Sequence, residues 1–223
     1  MPPYFSDRLS ETSFMAGIIT ALEVQKHNKE RVNVFLDGQF ALAVTIFVAA
    51  TLRKGQYLGD AEIERLKQED ERNKAYTRAI RFLGFRARSQ AEMERYLRDK
   101  GYSDEVAAET VGRLIDEQYL DDEAFARFWL EDRERFRPRG EQALRYELKQ
   151  KGITDEVIDT VLADLDEDEL AWKAVERKLH SWRNLTGPDL RKKIVGFLSR
   201  RGFGYETANN VFNRAQSSSD LLE

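Results

Sequence analysis

The sequence contains no cysteine, which removes disulfides, thiol nucleophiles and thiolate metal sites from its chemistry. Histidine is almost as scarce. His27 falls in an expected loop and His180 on an expected helix, so the two cannot form a His-x-x-x-His metal pair. Long apolar runs are missing as well: the longest, Phe40 to Ala50, is interrupted by Thr45 and falls far short of the ~20 residues of a membrane span. The opening MPPYFSDRLSE has no basic stretch followed by an apolar one, so no signal peptide is expected and a soluble, cytoplasmic protein is. Neither G-x-x-x-x-G-K-[ST] nor G-x-G-x-x-G occurs, which leaves nucleotide binding without a motif. With no serine in a nucleophile elbow and no histidine-centred triad, no catalysis, cofactor or metal is expected.

What is present is charge. Lys and Arg number 36 against 40 Asp and Glu, a net charge of −4. The balance is uneven: residues 123–170 hold eight basic against fourteen acidic side chains, and residues 171–223 hold ten against five. An acidic middle argues against a protein that coats nucleic acid by charge alone. The densest acidic stretch, Asp164, Asp166, Glu167, Asp168 and Glu169, lacks the glycine and the later bidentate Glu of a calcium loop. It reads instead as the start of a helix, where acidic residues suit the macrodipole.

Residues 1–13 form a polar, proline-containing arm. Period-two alternation then sets in at Ile18, Thr20, Leu22 and Val24, resumes at Val32, Val34 and Leu36, and continues through Phe40, Leu42 and Val44. Asp37-Gly38 between the last two runs is a type I′ hairpin signal. A three-stranded antiparallel sheet is therefore expected in residues 14–60, with a short helix to Leu52. Three strands leave an apolar face open, so the sheet must lean on that helix or on another part of the chain.

From Asp60 onward the periodicity is helical, and one motif recurs: Lys100-Gly101-Tyr102, Lys151-Gly152-Ile153 and Arg201-Gly202-Phe203, with glycines 51 and 50 residues apart. Each glycine is preceded four positions earlier by Leu97, Leu148 or Leu198. Glycine at C′ ends a helix in the left-handed conformation, and the following apolar residue folds back on the leucine at C3. Ser89, Ser103 and Thr154 are candidate N-caps. The chain thus predicts a mainly α protein: a curved, solenoid-like tandem array of three three-helix units, the first with a linker helix over 61–122 and the others over 123–170 and 171–215, preceded by a small antiparallel β-sheet segment and followed by a flexible tail at 216–223. Trp129, Trp172 and Trp182 lie at apolar helical spacing and are expected in the core.

Helix–glycine–helix units invite comparison with DNA-reading modules, which expose Arg, Lys, Asn or Gln on the reading helix. The corresponding helices here carry Glu105, Glu109 and Asp116, then Asp155, Glu156, Asp159 and Asp164, and would repel phosphate. Basic residues gather elsewhere, at equivalent junctions of the units: Arg78, Arg81, Arg86 and Arg88; Arg133, Arg135, Arg137 and Arg139, with Arg145 beyond; and Arg183, Arg191, Lys192 and Lys193. A solvated face would account for any one of them, but their recurrence points to one basic edge.

Several of these stretches resemble a known family. Tyr119-Leu120-Asp121-Asp122-Glu123-Ala124-Phe125-Ala126, Trp129, Arg133, Arg137-Pro138-Arg139-Gly140, Leu144, Glu147-Leu148 and Lys151-Gly152-Ile153 resemble the signature of the RecX regulatory family. Arg86-x-Arg88-Ser89 and Glu92-x-x-x-Tyr96-Leu97 look like its first unit, and Gly17-Ile18-Ile19, Arg31-x-Asn33-Val34 and Leu36-Asp37-Gly38 like the β extension of some members. The resemblance covers about residues 17–212. It implies a modulator of RecA, the recombinase of bacterial DNA repair, that lies in the groove of the RecA–DNA filament and inhibits its ATPase and strand exchange without catalysis of its own. The thirteen basic residues above are then the candidates for filament contact. With a pI near 5.5, binding to free single- or double-stranded DNA is expected to be weak, and a monomer is expected. The competing readings are a helix-turn-helix DNA-binding regulator and a scaffold for another client protein.

Overall fold

The computed structural model describes residues 16–185 and 187–220, the last three by their backbone alone. The expected arm at 1–13 lies outside them. The chain divides into two bodies between Phe82 and Leu83.

In the N-terminal body, β1 (Gly17–Val24), β2 (Arg31–Leu36) and β3 (Gln39–Thr45) form the expected antiparallel strands. Asp37 and Gly38 both take positive φ, 48° and 84°, as a type I′ turn requires. Helix α1 (Ile46–Ala49) follows. The sheet has four strands, not three: β4 (Tyr57–Leu58) pairs antiparallel with Gly17 and Ile18, giving the order β3-β2-β1-β4. Two residues are too few to show alternation, so this strand leaves no periodic trace in the sequence. The buried sheet face, with Ile19, Val32, Val34, Leu36, Leu42 and Val44, packs with Val48, Leu52, Leu58, Ile63 and Leu66. The last two belong to α2 (Asp60–Leu83). The open face of the sheet is therefore closed by α1 and the first half of α2.

The same helix also guards the edge of the sheet. Strand β3 is an edge strand, which would otherwise offer free backbone groups to another chain. The Thr45 N–H donates to Asp70 Oδ1 of α2 at 2.5 Å, and Arg31 donates to the Ala43 carbonyl. Asp70 is 3% exposed and is neutralised by Arg31 at 2.8 Å and Lys74 at 2.6 Å.

The C-terminal body holds α3 (Gln90–Asp99), α4 (Asp104–Asp116), α5 (Asp122–Phe136), α6 (Glu141–Gln150), α7 (Asp155–Leu162), α8 (Glu167–Trp182), α9 (Gly187–Ser199) and α10 (Tyr205–Asp220). In chain order the triplets α2–α4, α5–α7 and α8–α10 are the three repeats. Helix α10 continues past residue 216, where the sequence places the start of a tail, to Asp220.

The glycine motifs end α3, α6 and α9 as predicted. Gly101, Gly152 and Gly202 have φ of 88°, 78° and 82°. Tyr102, Ile153 and Phe203 donate their N–H groups back to the carbonyls of Leu97, Leu148 and Leu198 at 3.2, 3.1 and 3.2 Å, the six-to-one bond of a Schellman end. Ser89, Ser103 and Thr154 each accept an N–H from three residues on. Asp166 caps α8 through the Glu169 N–H at 2.9 Å, so the acidic stretch is a helix start. One core joins α5 to α10 and includes Leu148, Ile153, Leu198 and Phe203. Of the tryptophans only Trp172 is buried; Trp129 and Trp182 are half-buried at its margin.

Candidate functional site

The glycines that stop helices also join repeats. A Cβ on Gly152 would lie 2.3 Å from the Cβ of Ala91 in α3, and one on Gly202 would lie 2.7 Å from the backbone nitrogen of Ala143 in α6. Each helix end thus rests on the N-terminal turn of the preceding repeat's middle helix. A Cβ on Gly101 would meet nothing within 4 Å, so that glycine serves its turn alone. The joints are fastened by hydrogen bonds: Ser89 Oγ donates to the Lys151 carbonyl at 2.6 Å, and the Gly140 N–H to the Arg201 carbonyl at 2.9 Å.

Charge is arranged around these joints. At the first, Lys151 Nζ lies 2.8 Å from Glu92 Oε1, and Arg86 grips the same carboxylate at 2.9 and 3.0 Å. Burial alone would raise the Glu92 carboxyl, but hydrogen bonds from Arg86 and Lys151 outweigh it and hold the group at about 2. Trp129 stands beside them, with Arg133 4.1 Å and Lys151 5.0 Å from its ring centre and its indole N–H donating to Glu147 at 2.9 Å. Both cations lie within cation–π range of the ring.

At the second joint, Arg201 donates to the Pro138 carbonyl at 3.1 Å and lies 4.5 Å from the centre of the Phe197 ring. Burial, then repulsion from Arg139 and Arg137, lowers its pKa. The Arg137 side chain is exposed and has no hydrogen-bond or ion-pair partner among the described residues, while its backbone N–H donates to the Arg133 carbonyl at 2.9 Å. The Nε of Arg139 is buried without a hydrogen bond and lies 3.7 Å from Glu147 Oε1.

The remaining candidates disperse. Arg78 and Arg81 belong to the N-terminal body, where Arg81 pairs with Glu30 at 3.0 Å. Arg88 is half-buried beside Ser89, its pKa lowered by burial and then by Arg86. Arg133 is held by Glu147 at 2.7 Å and Asp132 at 2.8 Å, and Arg135 lies 5.2 Å from the Phe136 ring centre. Arg145 is occupied by Asp159 at 2.5 Å and Glu141 at 3.1 Å. Arg191 donates to Tyr205 Oη and Asn209 Oδ1 at 3.0 and 2.9 Å and, with Lys192, lines a cleft of about 570 Å³ between α9 and α10. Arg183 and Lys193 are exposed. Sequence reasoning missed Arg201, Lys151, Glu92 and Glu147 as parts of this surface. The signal was available in the register: Arg86, Arg88 and Ser89 recur 51 residues on as Arg137, Arg139 and Gly140, and Lys151 recurs 50 on as Arg201.

No described helix is long and apolar enough to cross a membrane. Among the described residues no group of three or more His, Asp or Glu side chains is placed to hold a metal ion.

Comparison with known proteins gives matches along nearly the whole chain. Four family models match in order: the regulatory protein RecX N-terminal domain over 17–59, and the RecX first, second and third three-helix domains over 75–114, 121–162 and 166–212. The regulatory protein RecX of Bacillus subtilis (strain 168) is 33% identical over 207 residues, covering 91% of this chain and 78% of the relative. Its counterpart in Listeria innocua is 31% identical over 214 residues, covering 92% and 78%. A crystal structure of a regulatory protein RecX superposes with a TM-score of 0.72 at 26% identity, over 89% of this chain and 100% of that one. The crystal structure of RecX from Lactobacillus salivarius shares the fold, with a TM-score of 0.61 at 21% identity over 66% of this chain and 98% of that one.

Proposed function

Because this chain belongs to the RecX family of regulatory proteins, we propose that it is a non-catalytic regulator of the RecA recombinase. It binds the RecA–DNA filament in its groove, inhibits ATP hydrolysis and strand exchange, and so modulates recombinational DNA repair in the cytoplasm. The observation that carries this reading is the ordered match of the N-terminal domain and all three helical repeats to one regulatory family. Repeats suit the role, because several contacts on one chain multiply their affinities when a polymeric partner presents matching sites.

The contact surface is proposed to include the second joint, where the Arg137 side chain is exposed and has no partner among the described residues, and Arg135 and Arg139 flank it. The acidic α4 and α7 do not favour direct DNA reading: Glu105, Asp116, Asp155, Glu156 and Asp159 are all exposed. The test is the DNA-dependent ATPase of RecA with purified protein added. Inhibition at stoichiometric ratios is expected, and an unchanged rate at stoichiometric excess would overturn the reading. A shift of naked duplex in a gel, without RecA, would favour the DNA-binding alternative.

A further inference from the structure

The two joints between repeats are built from the same parts, with one exception. Arg86, Arg88 and Lys151 at the first correspond to Arg137, Arg139 and Arg201 at the second. At the first joint the cations Arg86 and Lys151 both hold the Glu92 carboxylate, at 2.9 and 2.8 Å. The position 51 residues beyond Glu92 is Ala143, which has no charge to offer. The helix ends also meet one residue further along there, since Gly202 rests on Ala143 whereas Gly152 rests on Ala91. The second joint therefore keeps its cations, but among the described residues only Arg139 has an acid near it, Glu147 at 3.7 Å, and Arg137 and Arg201 have none. Arg201 turns to a carbonyl and a ring, and Arg137 to solvent.

We infer that the second joint takes a carboxylate from a partner protein: an exposed Asp or Glu side chain enters beside Arg137 and Arg201 and does between molecules what Glu92 does within this one. This deepens the reading of the chain as a protein-binding regulator and rests on it. Two observations favour an acidic side chain over a nucleic-acid phosphate. The equivalent cations at the first joint already hold a carboxylate, with the two-nitrogen grip of an arginine on its oxygens. The second joint is also bordered by acid: Glu167 accepts the Glu141 N–H at 2.8 Å, next to Gly140, and Asp168 and Glu169 follow it. A single carboxylate fits beside that border, whereas a continuous polyanion is repelled by it.

The experiment uses the full chain and two variants. Arg137→Ala removes an exposed side chain with no partner among the described residues. Ala143→Glu supplies the missing acid internally, with Ala143→Gln as its uncharged control. Binding to RecA filaments on single-stranded DNA is expected to weaken about 10-fold in Arg137→Ala and in Ala143→Glu, and to persist in Ala143→Gln. Titration with a glutamate decapeptide should shift the Arg137 and Arg201 guanidinium NMR signals, with inorganic phosphate and a naked 20-nucleotide strand as comparison probes. Filament binding unchanged in both charged variants would overturn the inference. So would an equal loss of naked-strand binding in Arg137→Ala, which would make phosphate the ligand. If the wild-type chain ignores RecA filaments, the functional reading fails by itself; the decapeptide titration still decides whether the joint accepts a carboxylate, and no shift overturns it.

Discussion

Lys151 and Glu92 are 59 residues apart in the chain and 2.8 Å apart in the fold. Their ion pair ties the middle helix of one repeat to the helix end of the next, and the Glu92 side chain is only 12% exposed. A pair so enclosed is costly to break from one side, because the partner charges stay behind without compensation. Glu92→Gln is expected to destabilise the C-terminal body by roughly 2–3 kcal/mol, read by denaturant unfolding followed through tryptophan fluorescence. A change within about 0.5 kcal/mol would show that the pair stabilises nothing.

The same carboxylate sets a pH dependence. Its folded pKa, about 2, lies below its ordinary 4.5, so the folded state favours the ionised form. That stability is fully present above about pH 4.5 and is lost as the pH falls toward 2. The shift corresponds to something on the order of 3 kcal/mol. Urea midpoints measured between these limits should fall steeply in the wild type and less in Glu92→Gln; parallel slopes would remove Glu92 from the account.

The three helix-ending glycines should respond unequally to alanine. All share positive φ, so each substitution carries the backbone strain of about 1 kcal/mol. Only Gly152 and Gly202 also press against a neighbouring repeat. Gly152→Ala and Gly202→Ala should therefore lower the melting temperature distinctly more than Gly101→Ala. Equal losses would mean that the joints yield without cost.

In the N-terminal body, Asp70→Ala should leave Arg31 and the Thr45 N–H without their acceptor. The expected cost is roughly 3–5 kcal/mol, as for a buried pair broken from one side. Amide hydrogen exchange gives the local readout: protection along β3 should collapse while that of Leu148 in the C-terminal body persists. Retained protection at Thr45 would count against the edge-guarding role.

Function should separate the arginines around the second joint from one committed to acids on its own and the following helix. Changing Arg135, Arg137 and Arg139 together to Glu is expected to abolish most inhibition of RecA ATPase with the helical circular dichroism intact. Arg145→Ala should leave inhibition within about twofold, because that side chain is committed to Asp159 and Glu141 and such exposed pairs contribute little. The reverse ranking would mean that the contact surface lies on α6 instead.

Much of this fold was legible because its rules are local. A glycine after Leu-x-x-x, a serine three residues ahead of an amide, and Asp-Gly between alternating strands each act over fewer than seven residues. What escaped was non-local or too short. Strand β4 has two residues and no period of its own. Asp70 sits among polar helix neighbours, and nothing nearby marks it as the partner of Arg31, 39 residues earlier. The arginine junctions were visible as clusters, yet which cations are neutralised depends on acids that arrive from other helices. From its own neighbours Arg201 reads only as a helix end, although its register with Lys151 places it at a joint.

A helix end that is also a joint cannot be relocated freely. One residue inserted beside Gly152 or Gly202 would slide a repeat along its neighbour and pull Lys151 or Arg201 out of reach of Ser89 or Gly140. The same insertion after Gly101 would only lengthen a turn. The chain's tolerance to changes in length is thus set by which of three identical-looking motifs has another repeat pressed against it.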